Sequence, residues 1–192
     1  MTNQESNEKG KLFVLSGPSG VGKGTVCKGL DLNALNTQIS ISMTTRKPRE
    51  GEIDGVSYYF VSRDTFEKAI ENHELLEYDE HFGNYYGTPK VPVKKLLDQG
   101  VNVLLEIETN GAKQVMSNLP QTVSIFMAPP SEEELKKRII GRDSEQDEEI
   151  RDRLKKAKDE MKEMKSYKYV VVNDQIEQAI SEVSHIMDGT FE

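Results

Sequence analysis

A glycine-rich segment near the start of the chain has the residue types and spacing of a phosphate-binding loop. It reads G-P-S-G-V-G-K-G-T from Gly17 to Thr25 and follows the apolar run Leu12–Leu15, which fits G-x-x-x-x-G-K between a strand and a helix. Glycines let successive backbone N–H groups turn inward around a phosphate, and the next helix adds its positive dipole end. Lys23 is expected to bridge the β- and γ-phosphates of a nucleotide. A tight turn with a surface lysine is disfavoured, because spacing and context both match.

The hydroxyl that would ligate Mg²⁺ stands one residue later than in the usual pattern. Gly24 directly follows the lysine, and Thr25 carries the hydroxyl. The loop does not fit G-x-G-x-x-G, so a Rossmann dinucleotide site is unsupported. We predict that ATP is bound by the whole loop, which comprises Gly17, Pro18, Ser19, Gly20, Val21, Gly22, Lys23, Gly24 and Thr25.

Two arginines in a second segment are spaced to close on one phosphate. Arg46 and Arg49 are three residues apart, and Pro48 stiffens the link between them. Guanidinium groups bind phosphate oxygens through paired hydrogen bonds. The phenols of Tyr58 and Tyr86 can donate further hydrogen bonds to the same oxygens. These side chains predict a site for a monophosphate.

The second segment resembles the guanylate kinase family, in its bacterial type. Ser40–Glu52, Gly55 and Tyr58-Tyr59-Phe60 match the family pattern S-x-S-x-T-T-R-x-P-R-x-G-E-x-x-G-x-x-Y-x-F. The resemblance continues over most of the chain and includes the phosphate-binding loop, Glu77, Gly83-Asn84-Tyr85-Tyr86-Gly87-Thr88, Glu106-Ile107-Glu108 and Val172-Asn173-Asp174. It implies a nucleoside-monophosphate kinase that transfers the γ-phosphoryl group of ATP to GMP or dGMP with Mg²⁺.

The resemblance implies how guanine is read. Glu77 matches the residue that accepts from guanine N1–H and the 2-amino group, while Ser42 and Thr88 supply hydroxyls for O6 or N7. Adenine has no N1–H and would leave a buried carboxylate unpaired, a mismatch that can reject an analogue by ~10⁴ or more. The expected GMP-binding residues are Ser42, Arg46, Arg49, Tyr58, Glu77, Tyr86, Thr88, Glu106 and Glu108.

The resemblance also implies a lid and a metal contact. Arg138 and Arg142, four residues apart on one helix face, and Arg153 match arginines that reach the transferring phosphoryl group; with Lys23 and Arg46 they form the expected catalytic set. Glu106 is expected to contact Mg²⁺ through water, with Thr25 as a second metal residue, and Asn173 is expected to border the adenine. The chain departs from the family at Asp143, where Gly is usual, and at Thr109-Asn110.

The elements that must position these residues alternate along the chain. Apolar runs predict strands buried on both faces of a parallel sheet, at Leu12–Leu15, Val101–Leu105, Val123–Ala128 and Tyr169–Val172. Helices are predicted from Thr25 and over Val93–Asp98, Gly111–Ser117 and Ser131–Ile140. This alternation predicts an α/β fold, a P-loop kinase core with a mostly parallel sheet and flanking helices. An inserted α+β GMP-binding subdomain and a helical lid complete it.

We predict one domain over residues 1–192, with a core at about 11–41, 92–135 and 166–192, an insertion at about 42–91 and a lid at about 136–165. In the insertion, strands at Val56–Val61 and Leu75–His81 flank a helix at Thr65–Asn72, which begins with Asp64 and Glu67 in capping-box-like spacing. Ser131 and Glu134 form a similar box before the lid. The lid has an apolar stripe at Ile150, Leu154, Ala157, Met161 and Met164.

Composition narrows the class of partner. The formal charge of −8 makes the chain a poor candidate for nucleic acid, which needs a basic face. Cys27, the only cysteine, excludes an intramolecular disulfide and is expected to be buried. No apolar run approaches the roughly 20 residues that span a bilayer, and residues 1–10 lack the apolar core of a signal peptide. We expect a cytoplasmic protein that binds ATP and GMP, and neither nucleic acid nor membrane.

Two other functions are compatible with the same fold. Guanylate-kinase-like modules of scaffold proteins bind phosphorylated peptides, but they typically have damaged phosphate loops, whereas Lys23 and its glycines are intact here. A related kinase could act on a ribose bisphosphate, but it should lack the guanine-reading set of Ser42, Glu77 and Thr88.

Overall fold

A parallel sheet of five strands lies at the centre of the structure. This computed structural model describes residues 8–81, 83–140 and 147–191. Its strands are β1 (Leu12–Ser16), β2 (Thr37–Ile39), β7 (Asn102–Glu106), β8 (Val123–Ala128) and β9 (Tyr169–Val172). The order across the sheet is β2-β7-β1-β8-β9.

Helices cover both faces of this sheet, which explains why its central strands carry continuous apolar runs, at residues 12–15, 103–105 and 125–128. On one face, Phe13 and Leu15 pack with residues of α1 (Lys23–Gly29) and α7 (Ile176–Asp188). On the other face, Val14 packs with residues of α3 (Lys90–Asp98) and α4 (Thr109–Asn118). Alternate residues of one strand therefore serve two cores.

A second sheet has four strands in the order β4-β3-β6-β5. The long hairpin of β5 (Leu75–His81) and β6 (Asn84–Pro89) is antiparallel and pairs Glu77 with Thr88. The short strands β3 (Met43–Thr44) and β4 (Tyr59–Phe60) and the helix α2 (Arg63–Glu71) complete this unit. It falls within the range 42–91; the division into core, insertion and lid remains a prediction.

Two helices follow β8 and pack on each other. α5 (Glu132–Ile140) contributes Leu135 and Ile139, and α6 (Asp147–Lys162) contributes Ala157, to a small apolar cluster. A 3₁₀ helix (Glu163–Ser166) ends this region. Ile150 and Leu154 join the α5–α6 cluster, whereas Met161 and Met164 pack with the core on the Val14 face of the parallel sheet. The predicted apolar stripe therefore contributes to two clusters.

The predicted α/β class with a mostly parallel sheet is confirmed, and β8 and β9 have the predicted bounds. The prediction that β9 is buried on both faces is wrong. Val170 and Val172 are 42% and 47% exposed, because β9 lies at the sheet edge and only its Val171 face packs against the core. Within the described ranges, no helix combines the length and apolarity needed to cross a bilayer.

The local predictions for the insertion needed correction. Ser62, rather than Asp64, caps α2 by accepting a hydrogen bond from the Thr65 N–H. The strand predicted at Val56–Val61 is only Tyr59–Phe60, because the chain turns back at Ile53. The other box forms by half: Ser131 Oγ accepts from the Glu134 N–H, while the Glu134 carboxylate binds Arg138. The short strands β2 and β3, strand β6 and helix α7 were not predicted.

Candidate active site

The phosphate-binding loop leaves the buried end of β1 and enters α1. Gly17 and Gly22 have φ angles of 145° and 100°, which residues with a Cβ rarely adopt. A Cβ at Gly17 would also lie 2.3 Å from the Met127 carbonyl oxygen, and one at Gly22 would lie 2.6 Å from Asn173 Nδ2. The glycines therefore allow the loop to lie directly on the ends of β8 and β9.

Lys23 lies across the loop that precedes it. Its Nζ donates to the Gly17 carbonyl oxygen at 2.6 Å and lies 3.4 Å from that of Pro18. The carboxylate of Glu108 is 3.6 Å away, and the Lys23 side chain is only 10% exposed. The ammonium group is thus held at the loop by oxygen atoms, where an incoming phosphate would compete for it.

Asn173 joins the loop to α5. Its Nδ2 donates to the Val21 carbonyl oxygen at 2.8 Å, and its own carbonyl oxygen accepts from Arg138 Nη1 at 3.0 Å. Arg138 is also held by Glu134 at 3.2 Å. Arg153 is half-buried on α6. The third predicted lid arginine, Arg142, lies outside the described residues, as does Asp143.

The end of β7 brings Glu106 against the start of α1. A Cβ at Gly24 would lie 3.3 Å from Glu106 Oε1, and the Cys27 thiol hydrogen-bonds the same carboxylate. Burial raises the pKa of Glu106 and, with the help of this carboxylate, that of Cys27. Thr25 is exposed beside them. Over the described ranges, no group of three or more His, Cys, Asp or Glu side chains could by itself hold a metal ion.

A cluster of charged side chains connects the loop, β5 and α6. Lys156 Nζ lies 2.9 Å from His81 Nδ1, 3.7 Å from Glu108 Oε2 and 3.7 Å from Glu160 Oε1. An ammonium group only donates, so His81 Nδ1 accepts in this contact. The other ring nitrogen, Nε2, is 3.1 Å from Asp79 Oδ2.

The pKa values of the two acids of this cluster shift in opposite directions. Burial and the repulsion of Glu108 raise the pKa of Glu160 well above its usual range. Burial alone would also raise the pKa of Glu108, but Lys23 and Lys156 outweigh it and hold that pKa below its usual range. Glu160 Oε2 accepts from the Ser19 N–H at 3.3 Å, so α6 contacts the phosphate loop directly.

On the acceptor side, three of the predicted phosphate ligands lie together. The Arg46 guanidinium lies over the Tyr58 ring, 5.4 Å from its centroid, and the rings of Tyr58 and Tyr86 are 6.1 Å apart. Arg46 forms a two-bond ion pair with Glu52 at 2.7 and 2.9 Å. This pairing lowers the pKa of Glu52 to about 2 and raises that of Arg46. The side chain of Arg49 is exposed.

The predicted base-reading carboxylate is buried. Glu77 is 5% exposed, and its Oε1 accepts from Thr88 Oγ1 at 2.6 Å. Burial raises the pKa of Glu77 to about 7, although the Thr88 hydroxyl opposes the shift. The Thr88 proton is directed at Glu77, so direct donation from Thr88 to guanine remains a prediction. Ser42 is half-buried on the segment that leads into β3.

Several residues of this site were not predicted from the sequence, although their spacing places them on the same strand or helix face. Asp79 and His81 follow Glu77 at steps of two, so all three point to one face of β5. Lys156 and Glu160 follow Arg153 at three and seven residues, which places them on one face of α6. The remaining residue that was overlooked is the Arg46 partner Glu52.

Comparison with known proteins agrees with this arrangement. The family model described as guanylate kinase matches residues 9–190. The guanylate kinase of Halalkalibacterium halodurans is 52% identical over 180 residues, which cover 94% of this chain and 88% of that protein. That of Enterococcus faecalis is 53% identical over 182 residues, which cover 94% and 89%.

A solved structure extends the similarity to three dimensions. The crystal structure of guanylate kinase from Anaplasma phagocytophilum matches with a TM-score of 0.76 at 37% identity, and the match covers 95% of this chain and 86% of that chain. A model match along nearly the whole sequence, and relatives with about half of their residues identical, establish the relationship. The chain belongs to the guanylate kinase family of nucleoside-monophosphate kinases.

Proposed function

We propose that the chain transfers the γ-phosphoryl group of ATP to GMP or dGMP, giving ADP and GDP or dGDP. The observation that carries this proposal is the connection between the two predicted sites. Lys23 of the phosphate loop contacts Glu108, which contacts Lys156, which contacts His81 on β5. The same strand carries the buried carboxylate of Glu77. The predicted donor and acceptor sites therefore adjoin across one charged cluster.

The chemistry asks for alignment rather than for a general base. A phosphate monoester has its second pKa near 6, so a GMP oxygen is already a competent nucleophile at neutral pH. The loop amides and Lys23 would hold the ATP phosphates, and Arg46, Arg138, Arg142 and Arg153 would neutralise charge on the transferred group. A lid over residues 136–165 would exclude water and so limit hydrolysis of ATP.

Arg46 can bind the GMP phosphate without first losing its partner. Glu52 and the Lys47 carbonyl oxygen occupy three of its N–H donors, whereas a guanidinium has five. Glu52 instead orients the group, since two parallel hydrogen bonds fix the guanidinium plane. Arg49, Tyr58 and Tyr86 would complete the phosphate site, and Ser42, Thr88, Glu106 and Glu108 would line the nucleoside side.

The residues present fit a magnesium ion. Mg²⁺ prefers oxygen ligands and keeps several waters beside substrate phosphates. Thr25 and Glu106 supply a hydroxyl and a carboxylate at the start of α1, where the phosphates of ATP would lie. When bound, Mg²⁺ would neutralise charge on the transferring phosphates. Asn173, which contacts the loop through Val21, would border the adenine.

We further propose that the reaction takes place in the cytoplasm and involves neither nucleic acid nor membrane. The charge of −8 and the single cysteine support this assignment. The arrangement into core, GMP-binding insertion and lid belongs to the same proposal.

A coupled assay of ADP release tests the activity, with GMP, dGMP, AMP, UMP, CMP and a ribose bisphosphate offered as acceptors. Rapid turnover is expected with GMP and dGMP alone, and only with Mg²⁺ present. Equal turnover with AMP, or preference for the ribose bisphosphate, would refute the assignment of the acceptor. Binding of nucleotides without any ADP release would refute the kinase activity itself.

A further inference from the structure

Helix α4 carries a glycine where helix propensity would favour another residue. Gly111 is the third residue of α4 and is buried. Alanine is a better helix former than glycine at such a position, so the backbone of the helix does not explain the residue. The facing strand does. A Cβ at Gly111 would lie 2.2 Å from Oε2 of Glu77 and 2.9 Å from its Cδ.

The space left by the missing side chain is filled by the Glu77 carboxylate. Thr88 holds the other oxygen of this carboxylate at 2.6 Å, and the side chain is 5% exposed. With Gly111 on one side and Thr88 on the other, the two carboxylate oxygens are confined to one plane and one depth. A methyl group at position 111 would force the carboxylate to move by about 1 Å to restore normal contact distances.

One turn along α4, Gln114 attaches the same helix face to the same strand. Its Nε2 donates to the Tyr78 carbonyl oxygen at 2.7 Å, and its Oε1 accepts from the Tyr78 N–H at 3.3 Å. β5 is an edge strand of its sheet, so these two backbone groups have no neighbouring strand to pair with. The Gln114 amide takes the place of a neighbouring strand at Tyr78, the residue that follows Glu77 in the chain.

We propose that Gly111 and Gln114 are positioning residues for acceptor choice, which hold the Glu77 carboxylate where it reads guanine. Gly111 sets how closely the Glu77 carboxylate approaches α4. Gln114 attaches β5, the strand that carries Glu77, to α4. This inference rests on the proposed function. A displacement of about 1 Å at a reacting or reading group can cost about 100-fold, so the effect should be easily measured.

The first test is Gly111→Ala, measured as the Kd and kcat/KM of GMP and of AMP. We expect the GMP/AMP ratio of kcat/KM to fall at least tenfold, through a weaker Kd for GMP, while the KM for ATP stays within twofold. Ser117→Ala, at an exposed position of the same helix, is the matched control and should leave the ratio unchanged. A GMP/AMP ratio within twofold of the starting protein in Gly111→Ala would overturn the role of Gly111.

A double-mutant cycle separates positioning from a general disturbance of the fold. In the Glu77→Gln background the reading carboxylate is already gone, so adding Gly111→Ala should change the GMP/AMP ratio by less than twofold. A tenfold loss that persists in that background would show that the effect does not pass through Glu77.

Gln114→Ala keeps the inference testable if Gly111→Ala does not fold. It removes both hydrogen bonds to Tyr78 and should also lower the GMP/AMP ratio, with the KM for ATP unchanged. An unchanged ratio would overturn the role of Gln114. A starting protein without preference for GMP would refute the proposed function. A GMP-specific protein whose variants keep that preference would refute only the positioning role of Gly111 and Gln114.

Discussion

The Glu77→Gln substitution exchanges one acceptor oxygen for an NH₂ donor at the proposed base-reading position. Glu77 is buried, and the Thr88 hydroxyl already donates to its Oε1 at 2.6 Å. A glutamine can keep that bond by placing its amide oxygen toward Thr88. Its NH₂ group then faces guanine, where two donors, N1–H and the 2-amino group, would meet a third.

The size of the loss follows from the burial of the site. A hydrogen bond to a charged group contributes about 1.5–3 kcal/mol, and leaving a buried donor unpaired adds its desolvation cost. We expect the loss of transition-state stabilisation for GMP to be about 2–4 kcal/mol, so kcat/KM for GMP should fall by a factor of about 30 to 900. AMP never uses the carboxylate, so its kcat/KM should change little. The ratio of kcat/KM for GMP to kcat/KM for AMP should therefore fall by nearly the same factor as kcat/KM for GMP.

The assay is steady-state ADP release with each monophosphate at saturating ATP, with circular dichroism as a check on folding. Arg46→Ala is the contrasting variant, because a phosphate contact carries no information about the base and its loss should weaken both monophosphates alike. If Glu77→Gln leaves the GMP/AMP ratio unchanged, Glu77 does not read the base. If Arg46→Ala narrows the ratio as much as Glu77→Gln does, the distinction between phosphate and base contacts is wrong.

Four further predictions concern Lys23, Glu77 and Cys27. Lys23→Ala should fold normally yet lose at least about 3 kcal/mol of transition-state stabilisation in kcat/KM, about 150-fold; normal turnover would exclude Lys23 from phosphate binding. The pKa of Glu77, raised to about 7 by burial, predicts that the GMP/AMP ratio of kcat/KM rises with pH through about 7. Because that pKa lies above the unfolded value, the folded state binds the proton more tightly, and stability is lost as pH rises from about 4.5 to 7. The free energy of unfolding of Glu77→Gln, measured in urea, should therefore exceed that of the starting protein by up to about 3 kcal/mol at pH 8, with most of this difference absent at pH 5. If the two proteins are equally stable at pH 8 and at pH 5, the pKa of Glu77 is not raised. Cys27, buried and with a raised pKa, should react with a thiol reagent only on unfolding, and rapid labelling of the native protein would contradict its placement.

Features that depend on near neighbours could be predicted from the sequence. The glycines between Gly17 and Gly22 predicted a tight loop between a strand and a helix, and the structure has one there, because glycine adopts the positive φ angles of such a loop without strain. The apolar runs that became β8 and β9 were placed with the correct bounds, because a short unbroken apolar run between turn residues marks a strand. The burial of β9 was not predicted correctly, because a strand's position in the sheet order is not written in its own residues.

Only the tertiary structure decided which polar groups from distant parts of the chain meet. Ser19 and Glu160 are 141 residues apart in the chain and share a hydrogen bond, and Gln114 pairs with the backbone of Tyr78. Each side chain alone reads as an ordinary polar residue of a strand, loop or helix. Their contacts arise because packing of the two sheets and the helices brings remote segments within hydrogen-bond range. Local propensities do not encode such contacts. The reason for a glycine at position 111 therefore becomes visible only in the structure, where the Glu77 carboxylate lies against it.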